Sequence, residues 1–244
     1  MRGRKQQRPQ HSDDASRLLT AMTDHTSPVD QNLQRASKLD TTSLSDALDR
    51  LGIAGQCLNI KPLDHRFRMT GRAFTILYGP AGTPPGTVGD YIDDVEPGGV
   101  IVLDNGGREN ATVWGDILTF VAHRRGVAGT VIDGACRDTY LARELAYPIY
   151  SRSYSMRTGK DRVQVEAMNV TVNIGDARVA PGDLLRGDAD GVLVIPREHE
   201  DAVLAAAEEI DSIEQQIRRL IDQGKTLTEA RRQLGYHQLQ SRRS

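Results

Sequence analysis

The sequence predicts a mixed α/β sandwich with a C-terminal helical arm. Short apolar runs of strand length follow Pro-Gly turns, as at 100–104 and 191–196. Stretches with apolar residues at helical spacing lie between the runs, and from Glu198 onward the periodicity is helical only. The chain has 244 residues, which is enough for one sizeable core or one core with extensions.

The first half of the chain alternates helix and strand signals. A helix is predicted over 42–51, with Leu44, Ala47, Leu48 and Leu51 on one face and Gly52 as its stop. A strand follows over 72–78, then a loop over 79–86, a short helix ending near Val95, and a buried strand over 100–104. The loop lacks the Gly-Lys-Ser/Thr ending of a nucleotide-binding P-loop, so we exclude that class of site.

The second half continues the alternation. A helix is predicted to begin near Gly115, and another runs through Leu141 and Leu145. The predicted strands are 130–132, 149–150, 163–165, 170–174, 184–185 and 191–196. The arm has apolar residues at helical spacing until a stop at Gly224, and Thr226 with Glu229 forms a capping box for a last short helix. The segmentation is therefore a tail over 1–34, a core over 35–197 and an arm over 198–244.

Composition limits the class of protein. Hydrophobic residues make up 38% and charged residues 26% of the chain, and the formal net charge is −2. No apolar run approaches the roughly 20 residues that span a bilayer. Only Cys57 and Cys136 are present, too few for a disulfide framework. We expect a soluble cytoplasmic protein with no membrane or nucleic acid partner, although the basic start of the polar, disordered tail (Arg2, Arg4, Lys5 and Arg8) leaves a contact with nucleic acid open.

Two carboxylates are the main candidates for chemistry. Asp116 follows Gly115 at the start of a predicted helix, and Asp138 follows Arg137 after an apolar run, 22 residues later. A helix, a strand and a tight turn between them can bring both carboxylates to the same edge of the sheet. There Asp138 suits Mg²⁺ or Mn²⁺ as a hard oxygen ligand, and Arg137 suits an anionic substrate because its planar fork binds carboxylates.

Each candidate also has a structural explanation. Asp116 could cap its own helix, and the Arg137-Asp138 pair could cap the helix through Leu141. Cys136 is either a small turn residue or a thiol activated by Arg137, and Trp114 is predicted to be a packing anchor. The glycine turn over 104–108 is expected at the same edge of the sheet as Asp116 and Asp138. The six histidines form no zinc-binding spacing, and no Gly-x-Ser-x-Gly motif of a serine hydrolase occurs.

A family resemblance rests on these motifs. Trp114-Gly115-Asp116, the stretch 126–134 and Arg137-Asp138 resemble the 4-hydroxy-4-methyl-2-oxoglutarate/4-carboxy-4-hydroxy-2-oxoadipate aldolase family. That family shares its fold with the regulator of ribonuclease E activity A. The resemblance extends over about 37–235. It implies a swivelling β/β/α-type catalytic core, assembled as a trimer or a pair of trimers, with the arm packed on a neighbouring subunit.

The resemblance also assigns roles to residues. Asp138 would bind Mg²⁺ or Mn²⁺, Arg137 would hold the 1-carboxylate of a small 2-oxo acid, and Asp116 would orient a catalytic water. The backbone amides of Gly115, Asp116, Ile117 and Leu118 would cradle the oxygens of the pyruvoyl group. A Glu from a neighbouring subunit's arm would complete the site, with Glu214 as the positional match and Glu208 and Glu209 as alternatives.

The activity implied is a metal-dependent class II pyruvate aldolase. It would cleave a 4-hydroxy-2-oxo acid to pyruvate and a carbonyl product, with oxaloacetate decarboxylation as a side activity. A different 2-oxo acid and a non-catalytic regulator that binds a ribonuclease are the alternatives, because fold alone does not define function. Arg72, Arg108 and the 79–86 loop are candidates for binding the distal group of the substrate.

Overall fold

The computed structural model describes residues 30–236. The helices are α1 (Gln31–Ser37), α2 (Thr41–Leu51), α3 (Asp116–Arg124), α4 (Thr139–Glu144), α5 (Glu200–Asp222) and α6 (Leu227–Gln233). The strands are β1 (Lys61–Pro62), β2 (Met69–Pro80), β3 (Gly99–Thr112), β4 (Gly129–Cys136), β5 (Ile149–Tyr154), β6 (Val163–Met168), β7 (Val172–Ile174), β8 (Ala177–Val179), β9 (Leu184–Gly187) and β10 (Val192–Ile195). Short 3-10 helices cover Asp90–Asp94 and Arg197–His199.

One large sheet organises the molecule. Its strand order is β1-β5-β4-β3-β2-β9-β10, and β6 also pairs with β2. The central strands β2, β3, β4 and β5 are parallel, whereas β1, β6, β9 and β10 pair antiparallel with their neighbours. Every residue of β4 is buried, as expected for a parallel strand covered on both faces. Strands β7 and β8 form a separate hairpin.

The two faces of the large sheet carry different layers. Along β3, Ile101 and Leu103 pack in one cluster with Ala122 of α3 and Ala142 of α4. Val100 and Val102 point to the opposite face, where they share a cluster with residues of the β7–β8 hairpin. Alternate residues of a strand face opposite sides of a sheet, which explains this division. The result is a β/β/α sandwich, which confirms the predicted fold class.

The first half of α5 packs on its own chain. Leu204, Ala207 and Ile210 are buried with Leu44 and Leu48 of α2, beside residues of β9 and β10. The hydrophobic core therefore continues across residue 197, where the boundary between core and arm was expected, and includes the first half of α5. An amphipathic helix buries its apolar face against any matching surface, and its sequence does not say which one. The packing of the arm on a neighbouring subunit stays a prediction.

The first described helix corrects the start of the core. Residues 31–34 belong to α1 and not to the polar tail predicted over 1–34, the rest of which lies outside the described residues apart from Asp30. An ion pair of Arg35 with Glu208 of α5, 2.8 Å long, attaches α1 to the core. This contact joins residues far apart in the sequence, so local patterns could not predict it.

None of the helices described within 30–236 combines the length and the apolar composition that a membrane-spanning helix needs.

Several elements differ in extent from the prediction. Strand β3 continues to Thr112, so the glycine turn expected over 104–108 is an irregularity within a strand, with φ of +59° at Gly106 and +69° at Gly107. Glycine adopts these angles without steric cost, which lets the strand bulge and resume. Strands β1 and β8 could not be predicted from the sequence, because two or three residues are too few to show a period.

Candidate active site

A cavity of about 520 Å³ lies beyond the carboxyl ends of β3 and β4. Neighbouring parallel strands end at the same edge of a sheet, and open α/β sheets bind ligands there. We call this the site cavity. Its lining comprises Val88, Gly89, Asp90, Ile92, Asp93, Thr112, Val113, Trp114, Gly115, Asp116, Ile117, Leu118, Val121, Arg137, Thr158, Gly159 and Lys160.

Asp138 directs its carboxylate across this edge of the sheet. Its backbone is left-handed, with φ of +54°, and although it occupies the N-cap of α4, its side chain accepts no capping hydrogen bond. Oδ2 instead accepts from the backbone N–H of Asp116 at 3.3 Å and lies 3.2 Å from Nε of Arg137. Capping therefore does not explain this side chain. A non-glycine residue in this conformation costs about 1–3 kcal/mol, and such residues cluster at functional sites.

Asp116 is the first residue of α3 and is exposed at the site cavity. Its Oδ1 accepts a hydrogen bond from the N–H of Ile117 at 2.8 Å, so the capping interpretation describes part of its role. The predicted substrate cradle, Gly115 through Leu118, lines the cavity in full. The N–H groups of a helix start attract anions, and those of Asp116 and Ile117 already meet the carboxylates of Asp138 and Asp116.

Arg137 is joined to the same place through its backbone. Its N–H donates to the carbonyl of Trp114 at 2.9 Å, and its side chain is 38% exposed at the cavity. Apart from the ion pair of Nε with Asp138, the guanidinium makes no hydrogen bond or ion pair within 30–236. Its remaining donors are therefore available to an anionic ligand.

Two neighbours of these residues are structural. Cys136 is fully buried, and burial raises the pKa of its thiol, which contradicts activation by Arg137. Trp114 is 2% exposed and stacks on Tyr147 with ring centroids 6.2 Å apart. Trp114 is thus a packing anchor, as predicted.

The candidate glutamates of the arm have partners within the chain and do not line the site cavity. Glu214 pairs with Arg218 at 3.1 Å and accepts from the hydroxyl of Tyr236 at 3.4 Å. Glu208 pairs with Arg35, and Glu209 pairs with Arg50 at 2.8 Å. A role for any of them at the site requires a second subunit and stays a prediction.

The residues suggested for the distal group of the substrate lie elsewhere. Arg72 forms an ion pair with the buried Glu200, and Arg108 donates to the carbonyl of Asn105. Neither residue lines the site cavity, and nor does the 79–86 loop. The polar lining of the cavity instead includes Asp90, Thr112 and the segment 158–160 with Lys160. A bridge between Thr112 and Thr158 joins segments 46 residues apart, so the sequence did not predict these lining residues.

A divalent metal fits this site on one protein ligand. No group of three or more His, Cys, Asp or Glu side chains in the described part of the chain could hold a metal. Asp138 offers a partly exposed carboxylate whose Oδ1 has no hydrogen-bond partner within 30–236. Mg²⁺ usually keeps several waters and takes one or two carboxylates together with substrate oxygens, so this donor set suits it.

Gly115 is required by the close approach of both functional side chains. A Cβ at this position would lie 2.9 Å from Oδ2 of Asp138 and 3.1 Å from Nε of Arg137. We expect Gly115→Ala to displace both side chains and to lower the activity of the site by about 10²-fold, the usual effect of a misplacement near 1 Å. Both displaced atoms belong to side chains and not to the backbone, so the unfolding free energy should change by only about 1 kcal/mol.

The measurement for Gly115→Ala is turnover together with thermal unfolding. Gly82→Ala is the matched control, because its new Cβ would meet only ordinary contacts, the nearest at 3.4 Å. Equal activity of the two variants would contradict the close approach at Gly115.

The fold and the site together define a class of protein. It is a β/β/α sandwich with a sheet edge where a helix start, an arginine and a left-handed aspartate meet. The profile of the RraA-like family, described as Aldolase/RraA, matches residues 41–194. The chain belongs to this family.

Relatives within the family carry different names. DlpA of Legionella pneumophila is 38% identical over 209 residues, which cover 84% of this chain and 34% of DlpA. The chain thus spans about a third of the length of that relative. A protein of Halalkalibacterium halodurans, provisionally named 4-hydroxy-4-methyl-2-oxoglutarate aldolase, is 36% identical over 169 residues, covering 69% of this chain and 78% of its own.

Solved structures agree with the fold. A Pseudomonas syringae protein described as uncharacterized superposes with a TM-score of 0.77 at 40% identity, covering 82% of this chain and 96% of its own. RraAS2 of Streptomyces coelicolor, described as an unusual member of the RNase ES inhibitor RraA protein family, has a TM-score of 0.71 at 26% identity. It covers 77% of this chain and 96% of its own.

Proposed function

We propose that this protein is a divalent-metal-dependent aldolase that cleaves a 4-hydroxy-2-oxo acid to pyruvate and a carbonyl compound. One observation carries the proposal. The Asp138 side chain turns away from its own helix to meet the Asp116 amide beside Arg137, and these two neighbours, though not Asp138 itself, line the site cavity. The aldolase names of several relatives support it. Loss of CO₂ from oxaloacetate gives the same pyruvate enolate, so decarboxylation is part of the proposal.

Substrate binding follows from the donors at the cavity. Arg137 holds the 1-carboxylate through the guanidinium donors that Asp138 does not use. The N–H groups of Gly115 and Leu118 at the start of α3, which donate to neither Asp116 nor Asp138, bind the oxygens of the pyruvoyl group. Two sets of donors on different segments fix the plane of the 2-oxo acid and align its C3–C4 bond, which lowers the entropic part of the barrier.

Charge and proton transfer complete the scheme. Asp138 would hold Mg²⁺ or Mn²⁺, which when bound supplies Lewis-acid stabilisation of the negative charge on the 2-keto oxygen. A water held by Asp116 accepts the proton of the 4-hydroxyl group as the C3–C4 bond breaks and C4 becomes a carbonyl. The bonding electrons pass to the enolate, which takes a proton at C3 to give pyruvate. Positioned proton transfer of this kind contributes about 10²–10⁴-fold.

Assembly of subunits around the site is part of the same proposal. Ile117, Phe120 and Tyr140 on α3 and α4 are exposed, and Ile117 lines the site cavity. Apolar side chains exposed together favour a protein interface, so we propose a trimer or a pair of trimers that covers them. Glu214 from the neighbouring arm would then reach the site and assist Asp116.

Glu214→Gln tests this contribution. We expect a loss of about 10²-fold in kcat, because a positioned acid–base group usually contributes that much. Stability should barely change, since the i,i+4 pair with Arg218 is worth only about 0.3–0.5 kcal/mol. Glu208→Gln and Glu209→Gln on the same helix are the matched controls. A loss confined to one of them would reassign the role, and equal activity of all three would remove the arm from the mechanism.

The proposed activity is tested by pyruvate release from oxaloacetate and from 4-hydroxy-4-methyl-2-oxoglutarate. We expect turnover with Mg²⁺ or Mn²⁺, its loss with EDTA, and its return when the metal is added back. The ratio of the two rates identifies which substrate the cavity prefers. A folded, metal-supplied protein without turnover on either substrate would contradict the proposal and favour the regulator, for which capture of a ribonuclease is the direct assay.

A further inference from the structure

The peptide group between Gly115 and Asp116 has both of its polar atoms engaged. Its N–H donates to Oδ2 of Asp138, 3.3 Å away. Its carbonyl, on Gly115, accepts two hydrogen bonds at 3.0 Å, from the backbone N–H and from Oγ1 of Thr119. In a planar trans peptide the C=O and the N–H point in opposite directions. Any group that fixes the carbonyl therefore also fixes the direction of the Asp116 N–H.

Thr119 is itself held from the core. It is 1% exposed, and its Oγ1 accepts from Nε1 of Trp114 at 2.9 Å while donating to Gly115. The indole stacks on Tyr147, whose hydroxyl bonds to Oγ1 of Thr130 at 2.8 Å within β4. The orientation of the Thr119 hydroxyl is thus fixed by the Trp114 indole N–H, and that indole is anchored to the central sheet through Tyr147.

Trp114 also connects the two segments of the site. Its carbonyl accepts from the N–H of Arg137 at 2.9 Å, while its side chain bonds Thr119. The start of α3 and the Arg137-Asp138 pair are therefore both hydrogen-bonded to the buried Trp114. Because a buried and fully satisfied network has a single arrangement, it holds the site geometry without any contact to the ligand.

We propose that Thr119 is a positioning residue of the active site, which holds the Asp116 N–H toward Asp138 through its hydrogen bond to the Gly115 carbonyl. This inference rests on the proposed function, since it names the residue that fixes the contact between the start of α3 and Asp138. Thr119 does not line the site cavity and touches no reacting atom. Its contribution is the direction of one N–H group.

Thr119→Val tests the inference because valine keeps the shape and removes only the hydroxyl. We expect KM for oxaloacetate to rise about tenfold, as for loss of one hydrogen bond to a charged group, with kcat within about threefold. Thr119→Ser, which keeps the hydroxyl, should stay within about twofold of the wild type. The amide proton resonance of Asp116, read by NMR in the ligand-free protein, should move in Thr119→Val and not in Thr119→Ser.

A merely structural Thr119 gives a different result. Loss of folded protein would lower apparent kcat and leave KM and the Asp116 resonance unchanged, and that outcome overturns the proposal. If Thr119→Val fails to fold because the Trp114 N–H is left buried without an acceptor, the double variant Trp114→Phe/Thr119→Val removes that donor as well. Wild-type KM in the double variant overturns the proposal, and a tenfold rise supports it.

The two levels of inference fail separately. If the wild-type protein releases no pyruvate from any substrate, the proposed function is wrong. The Asp116 resonance still decides whether Thr119 orients the peptide, because it needs no turnover. Turnover in the wild type with an unchanged Asp116 resonance and KM in Thr119→Val would overturn the positioning role alone.

Discussion

Asp138→Asn is expected to lower kcat/KM for metal-dependent pyruvate release by at least about 10³-fold, because charge stabilisation by a bound metal is worth several kcal/mol and about 1.4 kcal/mol is a factor of ten. Asparagine keeps the size of the side chain and its ability to accept from the Asp116 N–H. It removes the negative charge that a divalent cation needs. Asparagine also tolerates the left-handed backbone at this position, where φ is +54°.

The measurement is steady-state turnover across a series of Mg²⁺ or Mn²⁺ concentrations, with metal affinity determined by calorimetry. Asp222→Asn, on the exposed end of α5, is the matched control and should behave as the wild type. Thermal unfolding of both variants should remain near that of the wild type. Undiminished metal-dependent turnover in Asp138→Asn would remove Asp138 as the ligand.

Arg137→Lys is expected to lose about 10²-fold in kcat/KM although the positive charge is retained. The planar guanidinium makes two parallel hydrogen bonds to a carboxylate, and lysine offers a point charge on a shorter reach. Hydrogen bonds to charged groups contribute about 1.5–3 kcal/mol each, which supports a loss of this size. The backbone bond of Arg137 to the Trp114 carbonyl is unaffected, so the fold should be retained.

A comparison of substrates sharpens this test. Arg219→Lys, on the exposed face of α5, is the matched control for the chemical change itself. If Arg137 holds the carboxylate, KM should carry most of the loss, and competitive inhibition by pyruvate should weaken in parallel. An Arg137→Lys variant within threefold of the wild type would contradict two-pronged binding.

Local patterns predicted which candidate residues lie close together where the chain order itself brings them together. Asp116 and Asp138 are joined by one helix and one strand, and a unit of this kind returns the chain to its starting edge, so their proximity follows from sequence order. The same reasoning failed for Arg72 and Arg108, which are engaged with Glu200 and Asn105 away from the cavity. A basic residue near a predicted strand does not reveal its partner.

The position of Asp138 shows a different limit. Its place before a helix predicts a cap, and only the structure shows that the side chain leaves the helix and crosses to α3. The hydrogen bonds of Thr119 could not be predicted either, because the sequence pattern does not distinguish this threonine from the other buried residues of an amphipathic helix. Hydrogen bonds of side chains depend on direction, which a one-dimensional pattern does not carry.

By itself the sequence determined the fold class, the order of most helices and strands, and the two motifs of the candidate site. Hydrophobic periodicity and turn residues are local, and they act on segments of about ten residues. Only the tertiary structure decided that α1 and the first half of α5 belong to the core, that residues 158–160 line the cavity, and that Trp114 and Thr119 are hydrogen-bonded to each other beside the Gly115 carbonyl. These features depend on contacts between distant segments, whose partners are chosen by the packing of the whole chain.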